Sequence, residues 1–247
     1  MTNRPRAAIV LAAGLATRMR PMTDETAKPL LLLGGRPLLD YALDHLAAEG
    51  VETVAVNAFW QAEKVIAYVA ARPPRPKVIA VRETELLDTG GSVRYAWRHL
   101  GDDPFFVLNG DAFWLDGPTP ALNRMTHALT EDVDVVLLVH RTFQIDAATG
   151  QGDFAVNQLG IPRRPKEREI VPYLFAGASL MRPALLDGMP DGPFSLNRVW
   201  DRSMESGRIR VVVHDGVWFH LSTPADLTEA EQVLEARISG DLWRSWT

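Results

Sequence analysis

Along the chain, short continuous apolar runs alternate with stretches in which apolar residues recur every three or four positions. The run AAIVL at residues 7–11 has the pattern of a parallel strand buried on both faces. In PLLDYALDHLAAEG (37–50), Leu38, Leu39, Ala42, Leu43 and Leu46 fall on one helical stripe between Pro37 and Gly50. VETVAVNAF predicts a second strand. A helix over about residues 61–71 and the turn RPPRP then lead into a third, KVIAVRE. TGGSVRYAWRHLG reads as a glycine turn opening a helix, PFFVLNGD as a central buried strand ending in a polar loop, and DVDVVLLVH as one more strand. Strand and helix alternate throughout, so the expected fold is α/β, a doubly wound and mostly parallel sheet.

After residue 140 the rhythm changes. GDFAVNQLG and YLFAGASLM predict strands around an exposed loop, IPRRPKERE, and FSLNRVWDRSMESG predicts a helix. IRVVVHDGVWFHLS predicts two strands turning at Asp215 and Gly216. Thr223, Pro224 and Asp226 form a capping box that opens the last helix. With no repeat and no linker, residues 1–247 read as a single domain of two halves, 1–140 and 141–247. The second half supplies a small antiparallel, substrate-side extension.

Composition narrows the chemistry. At 247 residues, 47% hydrophobic and 23% charged, the chain can bury a large core. Its net charge of -5 argues against a nucleic-acid partner, so an anion site must be built locally. The absence of cysteine excludes disulfides, thiolate zinc sites and cysteine nucleophiles. No apolar run approaches the ~20 residues of a membrane span. Arg4 and Arg6 precede AAIVLAAGLA as in a secretory leader, but Gly14 and two arginines interrupt it, and no small-x-small cleavage site follows. A cytoplasmic, reduced protein is expected.

The candidate site begins at LAAGLATRMRPMT (11–23), where an apolar run stops at Gly14, a small-residue turn follows, and Arg18 and Lys28 stand nearby. Backbone amides of such a turn, with two cations, can receive phosphate. Alone, the same residues read equally well as a surface turn with solvated arginines. Their spacing says more. Gly14, Thr17, Arg18, Met19, Pro21 and Thr23, followed by Lys28-Pro29, resemble the G-x-G-T-R-[LM]-x-P-x-T…K-P motif of the sugar-1-phosphate nucleotidyltransferases. The Walker pattern is absent. ETELLDTGGSVRYA (83–96) is similar to the family's base and ribose segment, and LNGD (108–111) to its metal-binding strand end.

The resemblance implies transfer of a nucleotidyl group from an NTP to a sugar 1-phosphate, with release of pyrophosphate. It implies a nucleotide-binding first half and, in the second, the sugar-phosphate side and a C-terminal helix. Arg18, Lys28 and Asp111 take the catalytic roles. Leu11, Ala13, Gly14, Thr17, Arg18, Thr89, Gly90 and Asn109 take the nucleotide, and Asp153 and Gly177 the sugar phosphate. Asp111 holds Mg2+, a hard cation suited to one carboxylate with phosphates and water, with Mn2+ as the alternative. GDF (152–154), Gly177 to Pro183, FSLNRVWD (194–201) and Trp218 to Leu227 are most similar to the N-acetylmuramate α-1-phosphate uridylyltransferases of peptidoglycan recycling. Guanylyl transfer to mannose 1-phosphate, or transfer to another hexose 1-phosphate, is the alternative.

There are two departures from the family pattern. His220 stands where many relatives carry a second metal-binding aspartate, and imidazole suits Mg2+ poorly. It is therefore left as a direct ligand to Mn2+, a contact through water or a donor to phosphate. Asp215, five residues away on an extended segment, falls on the opposite face, and Ser222 stands where glycine is common. Ala16 costs about 1 kcal/mol relative to glycine if the turn needs positive φ there. His220 also motivates a reading of another class, a nucleotide-sugar-binding regulatory subunit with weak catalysis. The oligomeric state is not encoded in these motifs.

Overall fold

The computed structural model describes residues 4–144 and 151–239; the remaining residues of the expected 1–247 domain lie outside them. Strand β1 (Ala7–Leu11) leads through one-turn helices at Thr17–Met19 and Lys28–Leu30 to a short hairpin of β2 (Leu32–Leu33) and β3 (Arg36–Pro37). Then come α1 (Leu38–Glu49), β4 (Thr53–Ala58), α2 (Ala62–Ala70), β5 (Lys77–Arg82), α3 (Asp88–Trp97), β6 (Phe105–Asn109), β7 (Phe113–Leu115), α4 (Ala121–Ala128) and β8 (Val135–Arg141). The remainder holds β9 (Ala155–Val156), β10 (Pro162–Arg163), β11 (Tyr173–Met181), α5 (Asn197–Glu205), β12 (Ile209–Val213), β13 (Val217–Phe219) and α6 (Pro224–Ser239).

Among the described residues a seven-stranded sheet runs in the order β12-β8-β11-β6-β1-β4-β5. β1 is parallel to β4 and β6, β4 to β5, and β12 to β8, whereas β11 runs against both β6 and β8. This is the expected mostly parallel α/β sheet. The stripe of α1 is buried on one face of it with α2 and α4, while α3 and α5 cover the other. That two-sided cover is why the strand sequences are continuously apolar. A third apolar cluster joins α6 (Leu227, Ala230) to Met19, Leu33 and Phe113, so the last helix braces the turn that follows β1.

Two local expectations change and a third is filled in. Gly90 and Gly91 lie inside α3, which starts at Asp88, rather than in a turn before it. An added Cβ at Gly90 would sit 2.4 Å from the Phe194 ring, so the glycine permits close packing. The two strands expected on either side of Asp215 and Gly216 are present, and the structure defines their pairing: β12 extends the main sheet beside β8, and β13 pairs with β7. Finally, IPRRPKERE is not wholly exposed, since Arg164 folds back onto α5.

Candidate active site

Two cavities open at the carboxyl ends of the central strands, where open α/β sheets bind ligands. The larger, about 630 Å³, is bounded by the 11–19 turn, Lys28, Asn57, Asp111 and the first turn of α3. The smaller, about 290 Å³, runs between Asp153, Phe175, Arg164 and the start of α5. Leu11, Asp88, Thr89 and Asn109 line both and form the neck between them.

The turn after β1 leaves backbone donors free. The N–H groups of Ala13, Gly14 and Leu15 have no acceptor among the described residues, and an added Cβ at Gly14 would meet nothing within 4 Å. Ala16 does adopt the left-handed conformation, at φ 48 and ψ 42. Its carbonyl accepts from Met19 N at 3.0 Å and Thr23 Oγ1 at 2.9 Å, and Trp60 Nε1 holds Thr23 O at 2.9 Å. Buried Met19 anchors the turn, which leaves Thr17 and Arg18 on the cavity wall. Lys28 Nζ donates to Asp111 Oδ2 at 2.5 Å and to the Leu221 carbonyl, placing the cation beside the carboxylate on the same wall.

The site residues expected from the motif fall into two groups. Leu11, Ala13, Gly14, Thr17, Arg18, Lys28, Thr89, Asn109 and Asp111 line the larger cavity, and Asp153 lines the smaller. Gly90, Gly177 and His220 line neither. Gly90 N donates to Phe194 O at 2.8 Å, which positions the segment before α5. Gly177 sits in a bulge of β11 at φ +88, where an added Cβ would lie 2.6 Å from that of Ala112. Its part is to bring β11 close to the Asn109–Ala112 turn. Asp153 Oδ2 accepts from Phe175 N at 2.8 Å, which ties the same strand to the smaller cavity.

His220 Nε2 is hydrogen-bonded to Ser222 Oγ at 2.8 Å, and it is Ser222 that reaches the larger cavity. Burial lowers the His220 pKa and Arg18 and Lys28 add to this, while Asp226 and Asp111 oppose it. The charged form of the imidazole is thereby disfavoured. Among the described residues, no group of three or more His, Asp or Glu side chains is arranged to hold a metal ion. A cation on this wall would meet Asp111. The arrangement fits one held by a single carboxylate, Asp111, together with substrate phosphates and water.

Sequence reasoning missed Asn57, which is 1% exposed. Its Oδ1 accepts from Ala12 N at 2.6 Å, and its Nδ2 donates to Glu83 Oε1 at 2.7 Å. A lone amide inside the apolar run VAVNAF was the available signal. Asp88, with φ 56 at the neck, was also missed. So was Arg164 in the smaller cavity.

A turn with free backbone amides after the first strand of a doubly wound sheet, a strand-end carboxylate and an adjoining second cavity are an arrangement suited to a nucleotidyltransferase. Residues 8–188 match the family described as MobA-like NTP transferase domain, and the chain belongs to that family. It is 35% identical over 244 residues to the N-acetylmuramate alpha-1-phosphate uridylyltransferase of Caulobacter vibrioides, covering 97% of this chain and 99% of that protein. To the enzyme of the same name from Neisseria meningitidis serogroup B it is 29% identical over 235 residues, covering 93% and 98%. A UDP-glucose pyrophosphorylase solved with UDP-glucose shares the fold at a TM-score of 0.80 and 16% identity, covering 94% of this chain and 99% of that one. The chain is accordingly a sugar-1-phosphate nucleotidyltransferase, of a family that generally uses a divalent metal.

Proposed function

We propose that the protein transfers a uridylyl group from UTP to N-acetylmuramate 1-phosphate, giving the UDP-sugar and pyrophosphate. The observation that carries this reading is the pair of cavities meeting at Leu11, Asp88, Thr89 and Asn109, with the cations Arg18 and Lys28 on the wall of the larger. The identity of the sugar and base is taken from the two relatives named N-acetylmuramate alpha-1-phosphate uridylyltransferase.

In this account the triphosphate lies along the 11–19 turn, where the free amides and Arg18 bind its oxygens, and the sugar phosphate approaches the neck from the smaller cavity. A phosphate oxygen of the sugar attacks the α-phosphorus in line. The new P–O bond forms as the bond to the β-phosphate bridging oxygen breaks, and pyrophosphate leaves with that electron pair. The nucleophile is already ionised, so no protein base is needed, and catalysis comes from positioning and charge. Lys28, held beside Asp111, presents its charge to the phosphates. Asp111 would hold the divalent cation, with Mg2+ the expected species and Mn2+ the alternative; when bound, it supplies charge neutralisation of the phosphates. The same reading makes residues 1–140 the nucleotide half and 141–247 the sugar-phosphate half, and places the protein in the cytoplasm within peptidoglycan recycling.

A panel of UTP, GTP, CTP and dTTP against N-acetylmuramate, N-acetylglucosamine, glucose and mannose 1-phosphates, read by pyrophosphate release with Mg2+ or Mn2+, tests it. UTP with N-acetylmuramate 1-phosphate should give the highest kcat/KM. A higher value for GTP with mannose 1-phosphate would replace this assignment with the guanylyl one.

A further inference from the structure

The smaller cavity contains one feature that a neutral sugar does not require. Arg164 is the one cation among its described lining residues, alongside the carboxylates Asp88 and Asp153. Its side chain is one-third exposed. Nε donates to Asp201 Oδ1 at 2.9 Å, Nη2 donates to Asn197 Oδ1 at 2.9 Å, and the guanidinium carbon lies 4.7 Å from the Phe154 ring centroid. The head is therefore fixed in orientation, yet Nη1 has no partner among the described residues. The loop that carries it is also held: Arg163 makes two bonds to Glu169, at 2.7 and 2.6 Å, and that pair, helped by the Lys166 amide, lowers the Glu169 carboxyl to about 2.

The reacting phosphate of the sugar must lie at the neck, within reach of the nucleotide α-phosphorus. Arg164 lines the smaller cavity without lining that neck. It therefore stands on the side of the smaller cavity away from the nucleotide compartment. N-acetylmuramate differs from N-acetylglucosamine by a lactyl ether that ends in a carboxylate, and a fixed guanidinium with an open N–H edge matches a carboxylate in charge and geometry. We propose that Arg164 is the specificity-determining residue for the sugar, and that it binds this second anionic group of the substrate. The inference rests on the proposed N-acetylmuramate 1-phosphate substrate.

The test is a cycle of two ligands and two proteins, read by calorimetric titration with a non-hydrolysable UTP analogue present. The ligands are N-acetylmuramate 1-phosphate and its lactamide analogue, which has the same shape without the charge. The parent should prefer the carboxylate at least tenfold, and Arg164→Gln should bind the two within twofold of each other. Should Arg164→Gln fail to bind the UTP analogue, Arg164→Lys carries the comparison, with the preference reduced at least threefold. A parent without preference, or a variant that keeps it, overturns the assignment of Arg164 and leaves the proposed reaction standing. A parent that binds the UTP analogue but neither sugar phosphate overturns the substrate reading and this inference together.

Discussion

At the scale of single residues, the fold depends on groups whose importance is set by burial rather than by motif. Asn57 is the clearest. It is buried, and it joins the turn amide of Ala12 to the carboxylate of Glu83. Asn57→Ala would leave both partners buried without a bond, which costs about 1–3 kcal/mol; chemical denaturation should show a loss of that size, with weaker NTP binding. His214 is a second case. It is fully buried, and neither ring nitrogen has a hydrogen-bond partner among the described residues, although Nε2 lies 4.0 Å from Asp116 Oδ1. Burial, with a contribution from His140 and despite opposing Asp116 and Asp215, lowers its pKa from 6.5 to about 4; Arg124 adds slightly to the lowering. The unfolded chain therefore takes up a proton between those two values that the folded chain refuses. The stability due to neutral His214 is complete above pH 6.5 and is lost as pH falls toward 4, by about 3 kcal/mol. Denaturation midpoints over that pH range should show the loss, and His214→Phe should reduce it; an unchanged slope contradicts the assignment. The motif residues were legible because their spacing along the chain is fixed. Asn57, Arg164 and His214 were not, because their roles come from partners or burial that only the fold supplies.

At the scale of elements, periodicity located most helices and strands, and it failed where close packing overrides local propensity. The glycines at 90 and 91 read as a turn because glycine weakens a helix interior. The structure places them inside α3, because the carbonyl of Phe194 accepts from both their amides and the Phe194 ring lies against Gly90. Gly90→Ala should therefore destabilise the protein by about 1–3 kcal/mol even though alanine is the better helix former. Thermal denaturation separates the two arguments: a raised melting temperature means propensity governs, a lowered one that packing does. The capping box at α6 followed directly from sequence. Thr223 N and Ser222 N each donate to Asp226 Oδ2 at 2.7 Å, and Asp226 N donates to Thr223 Oγ1 at 3.3 Å. The two strands turning at Asp215 and Gly216 were legible, but a two-residue turn signal does not say with which strand each arm pairs. Here the sheet edge at β8 takes β12, and β7 takes β13.

At the scale of the whole molecule, the doubly wound sheet was legible because parallel strands buried on both faces leave unbroken apolar runs. The reversed β11 was not, although its insertion between β6 and β8 is what brings Asp153 and Phe175 beside the carboxyl ends of β1 and β6. The molecule thus presents two adjoining compartments, and the proposed reaction assigns the nucleotide to the larger and the sugar phosphate to the smaller. The structure of the protein with the UDP-sugar product bound tests that arrangement most directly. The nucleoside should occupy the larger cavity against the 11–19 turn and Thr89, the pyrophosphate bridge should lie at the neck, and the sugar should occupy the smaller cavity beside Arg164. A product bound in the opposite orientation, or outside these two cavities, would contradict the account.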